Sequence, residues 1–344
     1  MSPLVVSSPH AHRPLSTGAV MRTVALACVP GALALFWFFG WGLVVNLLLA
    51  VGAAAATEAA FLRLRERPVV PMLKDSSALL TGVLLGLSLP PLLPWWMTVL
   101  GAAFAIAFGK QLYGGIGQNP FNPAMLGYVV LLISFPAEMS TWVPPAAGDG
   151  VPLGTALAAI LGGGPPPDAW TGATPLDSFK FRGALTVEEW REASGLGGML
   201  AGRGWEWVNL GFLAGGLWLL RRRVFTWHAP LAMLGTLAVL SLLFWDGGSS
   251  ASRGSPLFHL LSGATMFGAF FIVTDPVSSA TSQRGRLVFG AGVGLLLYVI
   301  RCFGNYPDAV AFAVLLMNLA APFIDQYTKP RTYGHTPRAP EESA

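Results

Sequence analysis

Charged side chains are scarce in this chain of 344 residues. Asp, Glu, Lys and Arg together make up 11% of it, whereas an average soluble domain carries about 25%. Hydrophobic residues, in contrast, make up 53%, and they occur in long runs. A water-exposed surface cannot be built from so few charges. The sequence therefore excludes an ordinary soluble protein and predicts an all-α integral membrane protein within a lipid bilayer.

Cysteine and histidine are scarce as well. The two cysteines, Cys28 and Cys302, lie far apart in apolar segments, and the five histidines have no ligand spacing. Iron–sulfur and zinc sites need clustered ligands such as Cys-x-x-Cys, so we expect no metal site. No Ser/His/Asp set suggests a catalytic residue. The net charge of +4 lies near the apolar runs, which indicates membrane topology and not nucleic-acid binding.

Long apolar runs are the dominant feature of the chain. A helix that crosses the hydrocarbon core needs about 20 apolar residues, and fewer where it is broken. The 41 glycines and 27 prolines suggest that several of these helices are interrupted. We predict about ten transmembrane helices, at residues 23–40, 41–61, 77–94, 95–109, 122–136, 207–220, 229–245, 256–273, 286–303 and 308–325.

The positions of Lys and Arg predict the orientation. With both termini cytoplasmic, ten spans place 15 of the 21 basic residues on the cytoplasmic side and 6 on the outer side, as the positive-inside rule requires. Adding or removing one central helix would move Arg221, Arg222 and Arg223 outside. The first 20 residues lack the apolar core of a signal peptide, and we interpret them as a tail.

These spans divide the chain into five predicted parts. They are a cytoplasmic tail (1–20), a first five-helix half (21–136), a periplasmic loop (137–206), a second five-helix half (207–328) and a second cytoplasmic tail (329–344).

The two halves resemble each other in the spacing of their prolines. Pro90 precedes Pro120 by 30 positions, and Pro276 precedes Pro307 by 31. In each case a basic residue, Lys110 or Arg301, ends the intervening span. Five predicted helices separate the two units, so they would form an inverted repeat. The alternative is that abundant Gly, Ala and Leu make any two spans look alike.

The predicted periplasmic loop contains the motif Asp168-Ala169-Trp170-Thr171-Gly172-Ala173-Thr174. We expect this long, polar, Gly- and Pro-rich loop to lack strong secondary structure and to carry function. Asp-x-x-(Ser/Thr)-Gly-Ala-Thr resembles the acceptor sequence of flavin transferases, which join FMN through its phosphate to the threonine hydroxyl. The small residues Gly172 and Ala173 would let an enzyme approach closely. The motif predicts covalent FMN on Thr174, with Asp168, Thr171, Gly172 and Ala173 completing the acceptor.

A second copy of the short motif, Ser262-Gly263-Ala264-Thr265, makes Thr265 an alternative acceptor. Thr265 lies inside a predicted span, and His259 stands where the pattern has Asp. A soluble transferase would not easily reach it, so Thr174 is favoured. The structural interpretation of this second copy is close helix packing through small residues.

Ionisable residues within apolar runs are candidates for an ion path, because burying a charge is costly. Most of them lie near span ends, where snorkelling or helix capping explains them. Glu58 differs because apolar sequence precedes it. Pairing with Arg63 or Arg65 would explain Glu58 without an ion path, and both interpretations stay open.

Three longer segments, 110–125, 262–276 and 284–331, resemble the RnfD family, whose members are membrane subunits of the Rnf ion-translocating electron transport complexes. A more distant similarity is to NqrB of the sodium-pumping NADH:quinone reductase. The resemblance covers nearly the whole chain. It implies a ten-helix subunit of a six-subunit complex in the bacterial inner membrane. Such complexes move electrons between ferredoxin and NAD and couple this flow to Na⁺ or H⁺ transport.

The resemblance also implies cofactors. They are FMN on the outer-loop threonine, here Thr174, attached by a flavin transferase, and a noncovalent riboflavin between helices. The Lys110–Asn122 turn and the Thr265–Asp275 span are our candidates for the riboflavin contacts. The alternative function is a flavin-free channel or secondary transporter for a small solute, which the inverted repeat would suit equally well. A purified transporter of that kind would be colourless.

Overall fold

The computed structural model describes residues 16–162, 170–304, 306 and 309–329, and helices dominate it. The predicted first half contains α1 (Thr17–Ala27), α2 (Val29–Phe39), α3 (Trp41–Leu64), α4 (Val69–Leu73), α5 (Ser77–Ser88), α6 (Trp95–Gly109) and α7 (Pro123–Ser134). Next come α8 (Pro136–Ser140), α9 (Leu153–Gly162), α10 (Pro175–Lys180) and α11 (Val187–Ser194). The predicted second half contains α12 (Trp205–Arg221), α13 (His228–Leu243), α14 (Pro256–Leu261), α15 (Thr265–Phe267), α16 (Gln283–Phe303) and α17 (Val310–Tyr327).

Within these described residues, four helical segments are long and apolar enough to cross a bilayer: Thr17–Phe39, Trp41–Leu64, Gln283–Phe303 and Val310–Tyr327. The prediction of an all-helical, multi-pass membrane protein is therefore confirmed. A helix also overlaps each of the other predicted segments, but those helices are shorter or broken. The count of ten crossings stays a prediction, and most of the two tails, 1–15 and 330–344, lies outside the described residues.

The clearest helix break lies in the segment 256–273. α14 ends at Leu261, α15 begins at Thr265, and a π-helical turn, Gly268–Ile272, follows directly. Gly263 has φ of 60° at the break, a left-handed conformation that glycine adopts without strain. An interrupted helix exposes backbone groups to partners inside the protein.

Helix packing joins the two predicted halves at two places. α1 and α2 lie against α12, and α7 lies against α17. Small residues make some approaches very close, since a Cβ at Gly215 of α12 would lie 1.9 Å from the carbonyl oxygen of Ala27. Within the halves, α3 packs on α5 and α6, and α13 packs on α16.

The expectation that residues 137–206 lack strong secondary structure was wrong, because α8 to α11 lie in this segment. Local sequence explains two of these helices. Thr186 and Glu189 form a capping box that starts α11, and Thr174 caps α10. The segment is also fastened to the α2–α3 corner, where the N–H of Trp41 donates to the carbonyl of Val151 at 3.0 Å.

Candidate functional site

Thr174 is the N-cap residue of α10. Its hydroxyl oxygen accepts a hydrogen bond from the backbone N–H of Asp177 at 3.2 Å, and its side chain is partly buried. Just before it, Gly172 exchanges two backbone hydrogen bonds with Trp142, at 2.7 and 3.3 Å. A Cβ at Gly172 would lie 3.0 Å from the ring of Pro144, so the smallest residue fits best here.

The other residues of the predicted acceptor motif differ in their exposure to solvent. Thr171 and Gly172 are partly buried, and Ala173 is exposed. Asp168 lies outside the described residues. The segment from Thr171 to Thr174 contains a single backbone bridge, from Gly172 to Trp142, and leads in an extended conformation into the start of α10.

A cavity opens beside Thr174, between α2, α5, α7, α12 and α17. Its volume is about 90 Å³, below the roughly 300–1,000 Å³ of typical ligand pockets, so a large ring system would fit only if some of the lining side chains moved. Thr174 supplies one of its few hydroxyl groups. Six aromatic side chains line it: Tyr128, Trp142, Trp205, Phe212, Phe267 and Tyr306. Aromatic walls of this kind suit a planar ring system, since offset-stacked and edge-to-face contacts are both favourable.

The second acceptor-like motif reaches the same cavity, because Gly263 and Ala264 line it too. Thr265 itself is fully buried. Its hydroxyl donates to the carbonyls of His259 and Ser262, at 2.8 and 2.9 Å, and accepts from Arg301 at 3.0 Å. A phosphoester at Thr265 would break these bonds inside the helix interruption. The geometry thus favours Thr174 over Thr265 as the acceptor.

Arg301 and Asn209 satisfy the backbone groups that the helix break leaves without helical partners. Buried Arg301 donates to the His259 carbonyl at 2.9 Å. Asn209 donates to the carbonyls of Leu261 and Gly263 at 3.1 and 2.9 Å, and accepts from the N–H of Met266. Arg301 lies near the end of α16, but its side chain turns inward to the break and does not extend toward the membrane surface.

A second, larger cavity lies at the other end of α5, α7 and α12, the cytoplasmic side in the predicted orientation. Its volume is about 260 Å³. Both segments that were candidates for riboflavin contacts reach it, through Lys110, Asn119, Asn122, Thr274 and Asp275. Sequence analysis missed Arg223 and Arg286, which also line it. From the sequence, Arg223 was interpreted only as an indicator of membrane orientation.

Lys110 and Glu58 form a buried ion pair beside this second cavity. The Lys110 ammonium donates to a carboxylate oxygen of Glu58 at 2.5 Å and to the Ser77 hydroxyl at 2.5 Å. The side chains are 4% and 2% exposed, so Lys110 does not snorkel. The proposed pairing of Glu58 with Arg63 or Arg65 was therefore wrong, because Lys110 occupies that role and Arg65 donates to Gln111 instead.

α10 is also fixed at its far end, by Lys180. The ammonium donates to the carbonyls of Gly304 and Tyr306, at the turn that follows α16. Burial lowers the pKa of Lys180 and, one turn away, raises the pKa of Asp177. Because Tyr306 lines the aromatic cavity, Lys180 ties the helix that begins at Thr174 to one wall of that cavity.

These features define a multi-pass helical membrane protein with cavities between its helices, one of them walled by aromatic rings. The chain belongs to the NQR2, RnfD, RnfE family, whose pattern it matches over residues 4–334. The resemblance found in the three sequence segments is thereby confirmed.

Similar proteins cover nearly the whole chain. One from Ectopseudomonas mendocina (strain ymp) is 62% identical over 330 residues, which is 96% of this chain and 95% of the relative. One from Pseudomonas paraeruginosa is 61% identical over 329 residues, with the same coverage of 96% and 95%. One from Citrobacter koseri is 52% identical over 346 residues, covering 96% and 99%. Each is named as the D subunit of an ion-translocating oxidoreductase complex.

Proposed function

We propose that this chain is the flavin-carrying membrane subunit of an ion-translocating oxidoreductase complex. The observation that carries the proposal is its near full-length identity of 52–62% to relatives named as the D subunit of such a complex. The complex would have six subunits and couple electron transfer between ferredoxin and NAD to movement of Na⁺ or H⁺. The chain would lie in the bacterial inner membrane with both termini cytoplasmic, and we assign none of its side chains a catalytic role.

Thr174 is the proposed attachment site for FMN, joined through its phosphate by a flavin transferase. The support is the motif, the partly buried hydroxyl at the start of α10 and the adjoining aromatic cavity. Trp142 and Trp205 would line the space next to the flavin ring. FMN held there would supply one-electron redox chemistry, while the surrounding side chains set its position and exclude water.

The second cavity is the proposed site of a noncovalent riboflavin. Amide, hydroxyl and ionisable groups converge there on largely apolar walls, the arrangement typical of small-molecule sites. Lys110, Asn119 and Asn122 would contact it from one predicted half, and Thr274 and Asp275 from the other. A flavin has both donors and acceptors on one ring edge, so this mixed lining suits it.

The ten helices would form two inverted halves of five. The contacts of α2 with α12 and of α7 with α17 support this, because a two-fold axis brings equivalent helices together. The broken helix α14–α15 belongs to the second half. We propose that the redox state biases two arrangements of the halves. If ions reached the oxidised and the reduced complex equally well, this coupling of redox state to helix arrangement would be contradicted.

In-gel flavin fluorescence tests the cofactor assignment. The denatured subunit from its native host is compared with Thr174→Ala and Thr265→Ala. We expect fluorescence to disappear only in Thr174→Ala. Loss only in Thr265→Ala would move the acceptor to the helix break. A non-fluorescent, colourless unmutated subunit, with the transferase present, would favour a flavin-free channel or transporter.

A further inference from the structure

Helix α9 (Leu153–Gly162) has an unusual composition for a segment on the predicted outer side. Between Asp149 and Asp168 no residue is charged, and Thr155 is the only polar side chain in 151–162. Eight acidic residues lie elsewhere in or at the edges of this predicted loop. The 18 residues from 150 to 167, which include α9, are the longest uncharged run of this loop.

The two faces of α9 are both apolar. Ala156, Ala159 and Ile160 are buried in the core, and α9 packs against α3. On the opposite face Leu153, Leu157 and Leu161 are 43%, 36% and 56% exposed. Their spacing of four residues puts them in one stripe along the helix. An amphipathic helix in water would carry polar groups on that face.

The start of α9 lies at the level of exposed tryptophans. Val151 pairs with the backbone of Gly40 and Trp41 at the α2–α3 corner. Trp37 and Trp41, at this corner, are 59% and 43% exposed, and tryptophan is enriched where membrane meets water. α3 itself is a candidate membrane span, and its Leu48 is 67% exposed. The leucine stripe of α9 therefore begins beside exposed tryptophans, and α9 packs on a helix that is apolar enough to span a membrane.

We propose that α9 is embedded in the leaflet next to the α2–α3 corner, which is the outer leaflet in the predicted orientation. Leu153, Leu157 and Leu161 contact acyl chains. Ten residues of helix measure about 15 Å, roughly half of the 30 Å hydrocarbon core, so α9 fits within one leaflet. A protein partner is less suited to this face, because protein interfaces carry a polar rim and direct hydrogen bonds.

Spin-label accessibility tests this inference, which does not depend on flavin attachment. Leu157→Cys is labelled in the complete complex in lipid nanodiscs, with Cys28 and Cys302 replaced by alanine. Collisions of the label with oxygen, which enters lipid, are compared with those of a water-soluble nickel chelate. Leu48→Cys on α3 serves as the lipid control. Glu188→Cys, exposed on α11, serves as the water control.

We expect the oxygen-to-nickel collision ratio at Leu157 to match that at Leu48 and to exceed that at Glu188. A ratio like that of Glu188 would put α9 in water and overturn the proposal. Low collision rates with both reagents would identify a covering protein and overturn it as well. Ala158→Cys, on the same exposed face, repeats the measurement if Leu157→Cys does not assemble.

Discussion

The ammonium of Lys110 lies 2.5 Å from the carboxylate of Glu58, and both side chains are buried between α3 and α6. The two residues are 52 positions apart in the sequence. The second carboxylate oxygen of Glu58 is buried without a hydrogen-bond partner among the described residues. The pair therefore depends on one contact, and either residue alone would leave a buried charge.

Removing one member of this pair should destabilise the protein strongly. Lys110→Met or Glu58→Gln should each cost about 3–5 kcal/mol, because an uncompensated charge or an unmatched amide stays in the core. The double variant should lose less than the sum of the two single variants. Thermal unfolding of the four proteins in one detergent measures the coupling. Strictly additive losses would mean that the contact contributes nothing.

Gly215 should not tolerate a side chain. A Cβ there would lie 1.9 Å from the carbonyl oxygen of Ala27, so Gly215→Ala must push α1 and α12 apart. We expect a loss of about 1–3 kcal/mol, as for other overpacked positions. Gly235→Ala in α13 is the matched control, since nothing lies within 4 Å of its Cβ position. Removing glycine from a helix interior should stabilise that variant by up to about 1 kcal/mol. Equal melting temperatures of the two variants would contradict the packing.

Much of this architecture follows from the sequence, because helices are encoded by local apolar runs. A helix overlaps each of the ten predicted segments, and the resemblance of three of its segments led to the correct family. The residues that line the aromatic cavity could not be predicted from the sequence. Its six rings come from positions between 128 and 306 with no common period, and only the tertiary packing brings them together.

The errors have the same physical origin. Arg63 and Arg65 are close to Glu58 in sequence, but the helix packing brings Lys110 to it instead. The segment 137–206 was expected to be irregular because of its Gly, Pro and acidic content. The average composition of the segment hides an uncharged run at α9 and a complete capping box at Thr186. Both signals were visible locally, and a shorter window would have detected them.

The stability of α11 should depend on pH through Glu189. Hydrogen bonds from the backbone and hydroxyl of Thr186 lower the pKa of Glu189 below its ordinary value of 4.5. Because the pKa of Glu189 is lower in the folded state than in the unfolded chain, its ionised form stabilises the folded state at pH values above the unfolded-state pKa. This stabilisation is lost as the pH falls through the folded-state pKa. Amide exchange in α11, corrected for intrinsic rates, should therefore accelerate below about pH 4.5. In Glu189→Gln this step should be absent; its persistence would assign the effect to another group.

Substitution of Trp205 tests where the flavin ring lies, independently of where FMN is attached. The indole is 7% exposed, lines the cavity beside Thr174 and packs against Trp142 at 5.0 Å between ring centroids. Trp205→Phe keeps an aromatic ring in this cluster but removes the indole, which quenches flavin fluorescence by electron donation. We expect an unchanged in-gel flavin band from the denatured subunit, together with brighter flavin fluorescence in the native protein. Trp245→Phe is the control, because Trp245 is 46% exposed and lies at the end of α13, outside the set of residues that line the cavity. Equal native fluorescence in both variants would mean that the ring lies outside the aromatic cavity even though Thr174 carries it.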